Sequence, residues 1–295
     1  MKRLIIVLLL LSLAITSCAP AYRFMLGSYS IGDVESTDIF VYDLTTGSLF
    51  THSDNDDPIV YPASTTKLLS ILVALETLPA DTIITPGDEV NLIGQYSSVA
   101  YIRQNHKLSL EMLIEAMLIP SGNDATYVVA AACGREIAGN PSLDAQQAVN
   151  VFVDRMNEYA KELGCENTHF TTPDGYADNE HYSTVSDMAK ITVAAYRNDI
   201  IMKYAQLDKV NVTYASGHTN SWTNTNLQLH ESSEYYNEHV IGMKTGSLTD
   251  NYSIITAYND GDVKLLIGVF GAPTKDARYT DTAKIIDTII NALNK

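Results

Sequence analysis

Positive charge is scarce in this chain: 19 Lys and Arg stand against 35 Asp and Glu, a net charge of −16 over 295 residues. Binding to nucleic acid needs a basic footprint, so no nucleic-acid partner is expected. The same imbalance disfavours charge-driven adhesion to anionic lipid or polyanionic polymers. Tryptophan occurs once and phenylalanine six times, whereas tyrosine occurs 18 times. Tyr packs against apolar groups and still offers a hydroxyl, which suits a wet cleft, although most of these side chains serve equally as half-buried packing. Cysteine is nearly absent, at Cys18, Cys133 and Cys165. A domain of this size needs no disulfide, and Cys133 and Cys165 are expected to be buried free thiols. The seven histidines show no paired metal-ligand spacing, so neither a metal nor a cofactor is expected. There is no internal repeat, low-complexity segment or interdomain linker.

Long apolar runs are missing too, apart from Leu4 to Ile15. Lys2 and Arg3 precede that run, and it falls short of the ~20 residues a membrane span needs, so it reads as a secretory signal. Ile15-Thr16-Ser17-Cys18 resembles a bacterial lipobox, which implies lipidation at Cys18 and an exported lipoprotein on the extracytoplasmic face of the membrane. Removing residues 1–17 takes away two basic residues and no acid, leaving 17 against 35 and a net charge of −18. Membrane attachment would then depend on Cys18. The expected organisation is a signal at 1–17, a lipidated N-terminus and stalk at 18–36, and one domain at 37–295 with a helical insertion at about 80–200.

Asp38 to Asp43 alternates and is β-rich, Thr46-Gly47 turns, and Ser48-Leu49-Phe50 returns, which predicts a hairpin. The polar stretch from Ser53 to Asp57 reads as a solvated loop. It lacks the glycine and distal Glu of a calcium loop. Helical periodicity begins near Ser64 and recurs at 108–119, 124–133, 145–163 and 185–197. Val240 to Lys244, Tyr252 to Tyr258 and Val263 to Phe270 read as strands separated by turns at Gly246 and Asn259-Asp260-Gly261, and Arg278 to Leu293 as a closing helix. Strands at both ends with helices between them predict one sheet built from the two ends of the chain, with a helical region inserted.

Three short motifs carry the chemistry. Ser64-Thr65-Thr66-Lys67 places a lysine three residues after a serine at a helix start, so the amine can reach the hydroxyl. A serine needs a base to be nucleophilic, and a lysine whose pKa is lowered can be that base. Alone the tetrad is weak, since about one chance match is expected in a chain this long. Ser121-Gly122-Asn123 lies between two helices. Ser121 could relay a proton and Asn123 could hold a substrate carbonyl or amide, while the plainer reading is a helix N-cap. Lys244-Thr245-Gly246 would supply positive charge, a hydroxyl for a substrate carboxylate, and room for a ligand backbone. S-x-x-K, S-x-N and K-T-G in this order form the signature of active-site serine penicillin-recognising enzymes.

On these residues the chain is similar to the D-alanyl-D-alanine carboxypeptidases, the low-molecular-weight penicillin-binding proteins, from about Asp38 to Lys295. Matching stretches include Pro62 to Lys67, Ser121 to Ala125, Leu163-Gly164 to Phe170, His181 to Thr184 and Gly242 to Gly246. The resemblance implies the β-lactamase/transpeptidase-like α/β (α+β) fold: an antiparallel five-stranded sheet flanked by helices, with an inserted all-helical subdomain. It implies a peptidoglycan stem peptide ending in D-Ala-D-Ala as substrate, and β-lactams as covalent inhibitors. Ser64 would attack, Lys67 take the proton helped by the field of Lys244, and Ser121 protonate the leaving amine. Asn123, Lys244, Thr245, Gly246 and Ser247 would bind substrate, with the N–H groups of Ser64 and Ser247 as oxyanion hole and Arg278 on the terminal carboxylate. Departures are Asp174-Gly175-Tyr176, where the family more often has His, Asn or Thr before Gly-Leu, and an acidic insertion around Glu231 to Glu238. A class A-like β-lactamase needs a further Glu in an E-x-x-x-N pattern, and Glu166 and Glu180 are followed by Phe170 and Thr184 instead. A non-catalytic β-lactam- or peptidoglycan-binding lipoprotein would not need Lys67, and an esterase or aminopeptidase acting on other D-amino acid amides would differ only in cleft shape.

Overall fold

A computed structural model describes residues 34–53 and 59–293. The signal, Cys18, the stalk before residue 34 and nearly all of the polar loop after Ser53 lie outside the described residues. The hairpin at the start is β1 (Asp38–Asp43) and β2 (Leu49–Ser53). Then β3 (Ile59–Val60) leads into a single 3₁₀ turn, Ala63–Thr66, that runs without a break into α1 (Lys67–Thr77). The central region holds β4 (Ile83–Ile84), β5 (Leu108–Ser109), α2 (Leu110–Leu118), α3 (Asn123–Ile137), α4 (Ala145–Glu162), β6 (Ser183–Thr184), α5 (Val185–Tyr196) and α6 (Asp199–Ala205). A second hairpin follows, β7 (Lys209–Thr213) with β8 (Thr219–Thr223). The chain closes with β9 (Val240–Leu248), β10 (Asn251–Asn259), β11 (Lys264–Ala272) and α7 (Ala277–Leu293).

The five long strands form one antiparallel sheet in the order β2-β1-β11-β10-β9, so the first strand of the chain pairs with the last. Alternation along the strands gives the sheet two apolar faces. Phe40, Met243, Ile255, Leu266 and Phe270 face the helical core. Ile39, Val41, Ile254, Ile267 and Val269 face α7, which answers with Tyr279, Ile285, Ile286 and Ile289. At the centre of the helical layer α1 is buried from Lys67 through Ala74, as a helix apolar on all sides must be. It packs on α3, α4 and α5. Lys67, at the first position of this helix, has no route to solvent along it.

Helix ends follow local chemistry. Ser109 caps α2 by accepting from Met112 N, Asp144 and Gln147 form a capping box on α4, and Thr184 caps α5 by accepting from Asp187 N. Two differences from the sequence reading concern the central region, which carries the small strand pairs β4–β5 and β3–β6 beside its helices, and the β7–β8 hairpin that follows it. At the other end, Glu35 N, Ser36 N and Ser36 Oγ all donate to Asp281 Oδ2 of α7, so the last residues read as stalk are tied to the body. Cys133 and Cys165 are buried and unbridged, and burial pushes both thiols up to about 12.

The turn expected at Gly246 is instead strand, and β9 runs on to Leu248 with the turn at residues 249–250. The glycine serves close packing rather than reversal. A Cβ added there would lie 2.2 Å from Ser253 Oγ, 2.8 Å from Pro62 O and 3.0 Å from Ala63 Cβ. Only glycine lets β9 lie flat against the turn that carries Ser64. Gly246→Ala should therefore lower the unfolding free energy by about 1–3 kcal/mol, measured by denaturant titration; an unchanged midpoint would mean that the strand and the turn separate freely.

Candidate active site

Ser64 sits in the 3₁₀ turn behind Ala63, whose φ of 52° is the left-handed region that a non-glycine residue adopts only when its surroundings impose it. Those surroundings are specific. Thr65 N and Oγ1 both donate to Pro62 O, as does Ser253 Oγ from β10, and Thr66 Oγ1 bonds His181 Nε2. The turn is thus fastened to the sheet on one side and to the segment before β6 on the other.

From the next position, Lys67 Nζ reaches back to Ser64 Oγ at 2.8 Å. It also donates to Asn123 Oδ1 at 2.7 Å and to the backbone carbonyl of Asp174 at 3.1 Å. Both of these partners can only accept, so two N–H bonds are committed to them. The third direction of the nitrogen meets a hydroxyl, which can donate as well as accept. When Lys67 is neutral its lone pair therefore faces the Ser64 proton. Lys67 is fully buried, and desolvation lowers its pKa to about 8, opposed by the carboxylates of Asp174 and Asp124.

Asn123 opens α3, and neither it nor Ser121 caps the helix. The N-cap is Gly122, which makes no side-chain cap bond. The capping reading is thus corrected: the Asn123 amide is drawn to Lys67 and, through Nδ2, to Ser97 Oγ at 2.9 Å. Ser121 has φ of 60°, a second left-handed residue, and its hydroxyl accepts from Lys244 Nζ at 2.7 Å. Lys244 lies on β9, 1% exposed, and its pKa is pushed well below the usual lysine range by burial first and then by the charges of Lys67 and Arg278. Each amine is thus held below the usual lysine range by burial, and the positive charge of Lys67 lowers Lys244 further.

The remaining expected residues line one edge. Thr245 Oγ1 lies 2.6 Å from Thr225 Oγ1, and Ser247 is exposed. Arg278, at 5% exposure, lies beneath β9 rather than in the open cleft. Its guanidinium donates to Gly246 O at 2.9 Å, Ser247 Oγ at 3.2 Å and Tyr279 Oη at 3.0 Å, and stacks over the Tyr279 ring. Its charge therefore stands behind Thr245 and Ser247 while its donors hold the strand. Beside the turn is a cavity of about 340 Å³ lined by Tyr61, Ala63, Gly175, Tyr176, Asp178 and Asn251.

The structure thus groups Ser64, Lys67 and Asn123 around one amine, joins Ser121 to Lys244, and sets Thr245, Gly246, Ser247 and Arg278 along β9. Cys18 lies outside the described residues. Sequence reasoning missed four contributors: Asp174, through its carbonyl; Ser97, which orients Asn123; Thr225, which pairs with Thr245; and Asp124, whose carboxylate accepts from Ala100 N and Ile102 N. The signal for Asp174 was the glycine after it. Gly175 has φ of +81°, and a Cβ there would lie 1.8 Å from Ala63 O, so Gly alone lets this segment close onto the turn that carries Ser64.

The sequence profile of the D-alanyl-D-alanine carboxypeptidase family matches residues 27–274. D-alanyl-D-alanine carboxypeptidase DacA of Haemophilus influenzae is 30% identical over 256 residues, covering 83% of this chain and 59% of its own length. DacF of Bacillus subtilis, another D-alanyl-D-alanine carboxypeptidase, is 26% identical over 299 residues, covering 97% of this chain and 70% of its own. The crystal structure of the Streptomyces K15 DD-transpeptidase superposes with a TM-score of 0.77 at 24% identity, over 89% of this chain and all of that one. That likeness speaks for the fold. The profile match over most of the sequence establishes that this chain belongs to the D-alanyl-D-alanine carboxypeptidase family.

Proposed function

We propose that the protein is a serine-type D-Ala-D-Ala carboxypeptidase that works through an acyl-enzyme on Ser64 and is sensitive to penicillin. The observation that carries this reading is the 2.8 Å contact between Ser64 Oγ and a fully buried Lys67 amine whose pKa is lowered to about 8. Lys67 takes the hydroxyl proton as Oγ adds to the carbonyl carbon of the penultimate D-Ala. The carbon–nitrogen bond breaks, the departing amine of D-Ala receives a proton through Ser121, and water then hydrolyses the ester. The N–H groups of Ser64 and Ser247 stabilise the oxyanion. The terminal carboxylate sits at Thr245 and Ser247, in the field of Arg278. β-Lactams enter as analogues of the D-Ala-D-Ala terminus and leave slowly. Against the class A-like β-lactamase alternative stands the fact that, among the described residues, no side-chain carboxylate bonds Ser64 or Lys67. We further propose export and membrane attachment through a lipid on Cys18.

Intact-mass analysis with benzylpenicillin should show one stoichiometric adduct on the wild type and none on Ser64→Ala, with D-Ala released from a stem pentapeptide by the wild type alone. An unmodified wild type would sink the acyl-enzyme reading, and binding of the pentapeptide without D-Ala release would favour the non-catalytic one. Lys67 must lose its proton to act, so the acylation rate should climb as pH rises through about 8 and level off above about 9. A flat profile from about 6 to 9 would assign the base elsewhere. Lys67→Ala should lower that rate by about a hundredfold or more; the thermal midpoint should fall, because Asn123 Oδ1 and Asp174 O lose their donor, but circular dichroism should still show the native helix content, because α1 retains its apolar surroundings. Mass spectrometry of the membrane-associated protein should find a lipid-modified Cys18 at its N-terminus; an unmodified Ala or Tyr there would remove the anchor.

A further inference from the structure

A second cavity lies apart from the catalytic cleft. A groove of about 620 Å³ lies on the far side of the 97–102 loop, lined by Asn91, Ile93, Tyr101, Arg103, Gln104 and Asn105. That volume falls within the range of small-ligand sites. The loop has two working faces. One presents Ser97 to Asn123 in the catalytic cluster, and the other forms the groove wall. Asp124, next to Asn123, pins the loop by accepting from Ala100 N and Ile102 N, so the wall is held rigid on both sides of Tyr101.

Tyr101 is the unusual member. It is 67% exposed and its φ is 61°, a left-handed backbone in which a bulky side chain is strained and glycine is not. A residue that is both strained and solvent-facing contributes nothing to the core. Strained positions of this kind cluster at binding and catalytic sites. Around it stand Arg103, which makes no ion pair among the described residues, and the exposed amides of Asn91, Gln104 and Asn105. Gln104 Nε2 is anchored on Asp88 Oδ1 at 2.7 Å, which leaves its carbonyl free to accept.

This chemistry selects a ligand class. A flat aromatic face beside amides and one guanidinium suits a molecule with an apolar C–H face and a rim of hydroxyl and amide groups. A lipid would need a continuous apolar lining, and a polyanion would meet a protein with a net charge of −16 and a groove whose lining sets the acidic Asp124 beside Arg103. We propose that the groove is a second binding site, for a neutral N-acylated sugar seated on Tyr101 and held by Arg103 and the three amides.

The molecule carries its own reporter. Trp222, the single tryptophan, is buried and donates through Nε1 to Ala100 O at 3.1 Å, one residue from Tyr101. Titration of the full chain carrying Ser64→Ala with triacetylchitotriose should give a saturable change in Trp222 emission, matched by saturation-transfer NMR of the sugar. Because Ser64→Ala forms no acyl-enzyme, this result is independent of the acylation reading above. Arg103→Ala and Tyr101→Gly should each weaken binding by about tenfold or more. Tyr101→Gly should at the same time raise the thermal midpoint, since glycine accepts the left-handed backbone. Absence of binding at millimolar sugar by both methods would overturn the site. So would equal affinity in both variants, and equal affinity for maltotriose would overturn the assignment to N-acylated sugars.

Discussion

A lysine ammonium taken fully out of water has to be given three acceptors or give up its proton, and that requirement at Lys67 fixes the centre of this molecule. Its partners come from three separate pieces of chain: the turn before α1, the first residue of α3, and the carbonyl of Asp174. None of the three can shift without stranding a buried polar group, an arrangement that costs several kcal/mol. The left-handed residues Ala63 and Ser121 precede Ser64 and Asn123, two partners of this amine, by one and two positions, and their strain is tolerated because the surrounding hydrogen bonds leave the chain no other path. Burying Lys244 close by makes the requirement sharper, because the two amines then compete for charge.

The sheet and the helical layer divide the work of meeting that constraint. The helical layer supplies Lys67 and Asn123, on helices packed largely into the apolar core. The sheet supplies Lys244, Thr245 and Gly246 along its last strand, and α7 braces that strand from behind through Arg278 and Tyr279. The chemistry therefore sits on a seam between two rigid layers, and loops complete it: residues 97–102 at one side, 173–176 at the other. Rigid elements hold the reacting groups while the loops shape what can approach them.

Much of this was legible in the sequence because it rests on local rules. The alternation of Asp38 to Asp43, the apolar periodicity after Ser64, and the Asn259-Asp260-Gly261 turn each name an element without reference to the rest of the chain. The three motifs were legible for a different reason, since their order and spacing are improbable together. What could not be read depends on contacts between distant residues. Gly246 looks like a turn residue until Pro62 and Ser253 are seen pressed against it. Asp174 acts through its backbone, which carries no side-chain signal at all. The β7–β8 hairpin alternates weakly, burying only Val212 and Trp222 on one side, and so gave no pattern to find.

The pairing of β1 with β11 joins Asp38 to Phe270, with nearly the whole domain threaded between them. Three of the five sheet strands and the helix that covers one face are encoded after residue 239. A chain delivered N-terminus first therefore holds β1 and β2 as an incomplete ribbon until the final hairpin arrives. The turn that carries Ser64 waits as well, since Ser253 and Gly246 are needed to seat Pro62 and Ala63. Long-range closure of this kind makes folding slow and leaves strand edges open while synthesis proceeds. The topology thus leaves the Ser64 turn unseated until β9 and β10 are in place, so that assembly of the site waits on strands encoded far downstream of the serine.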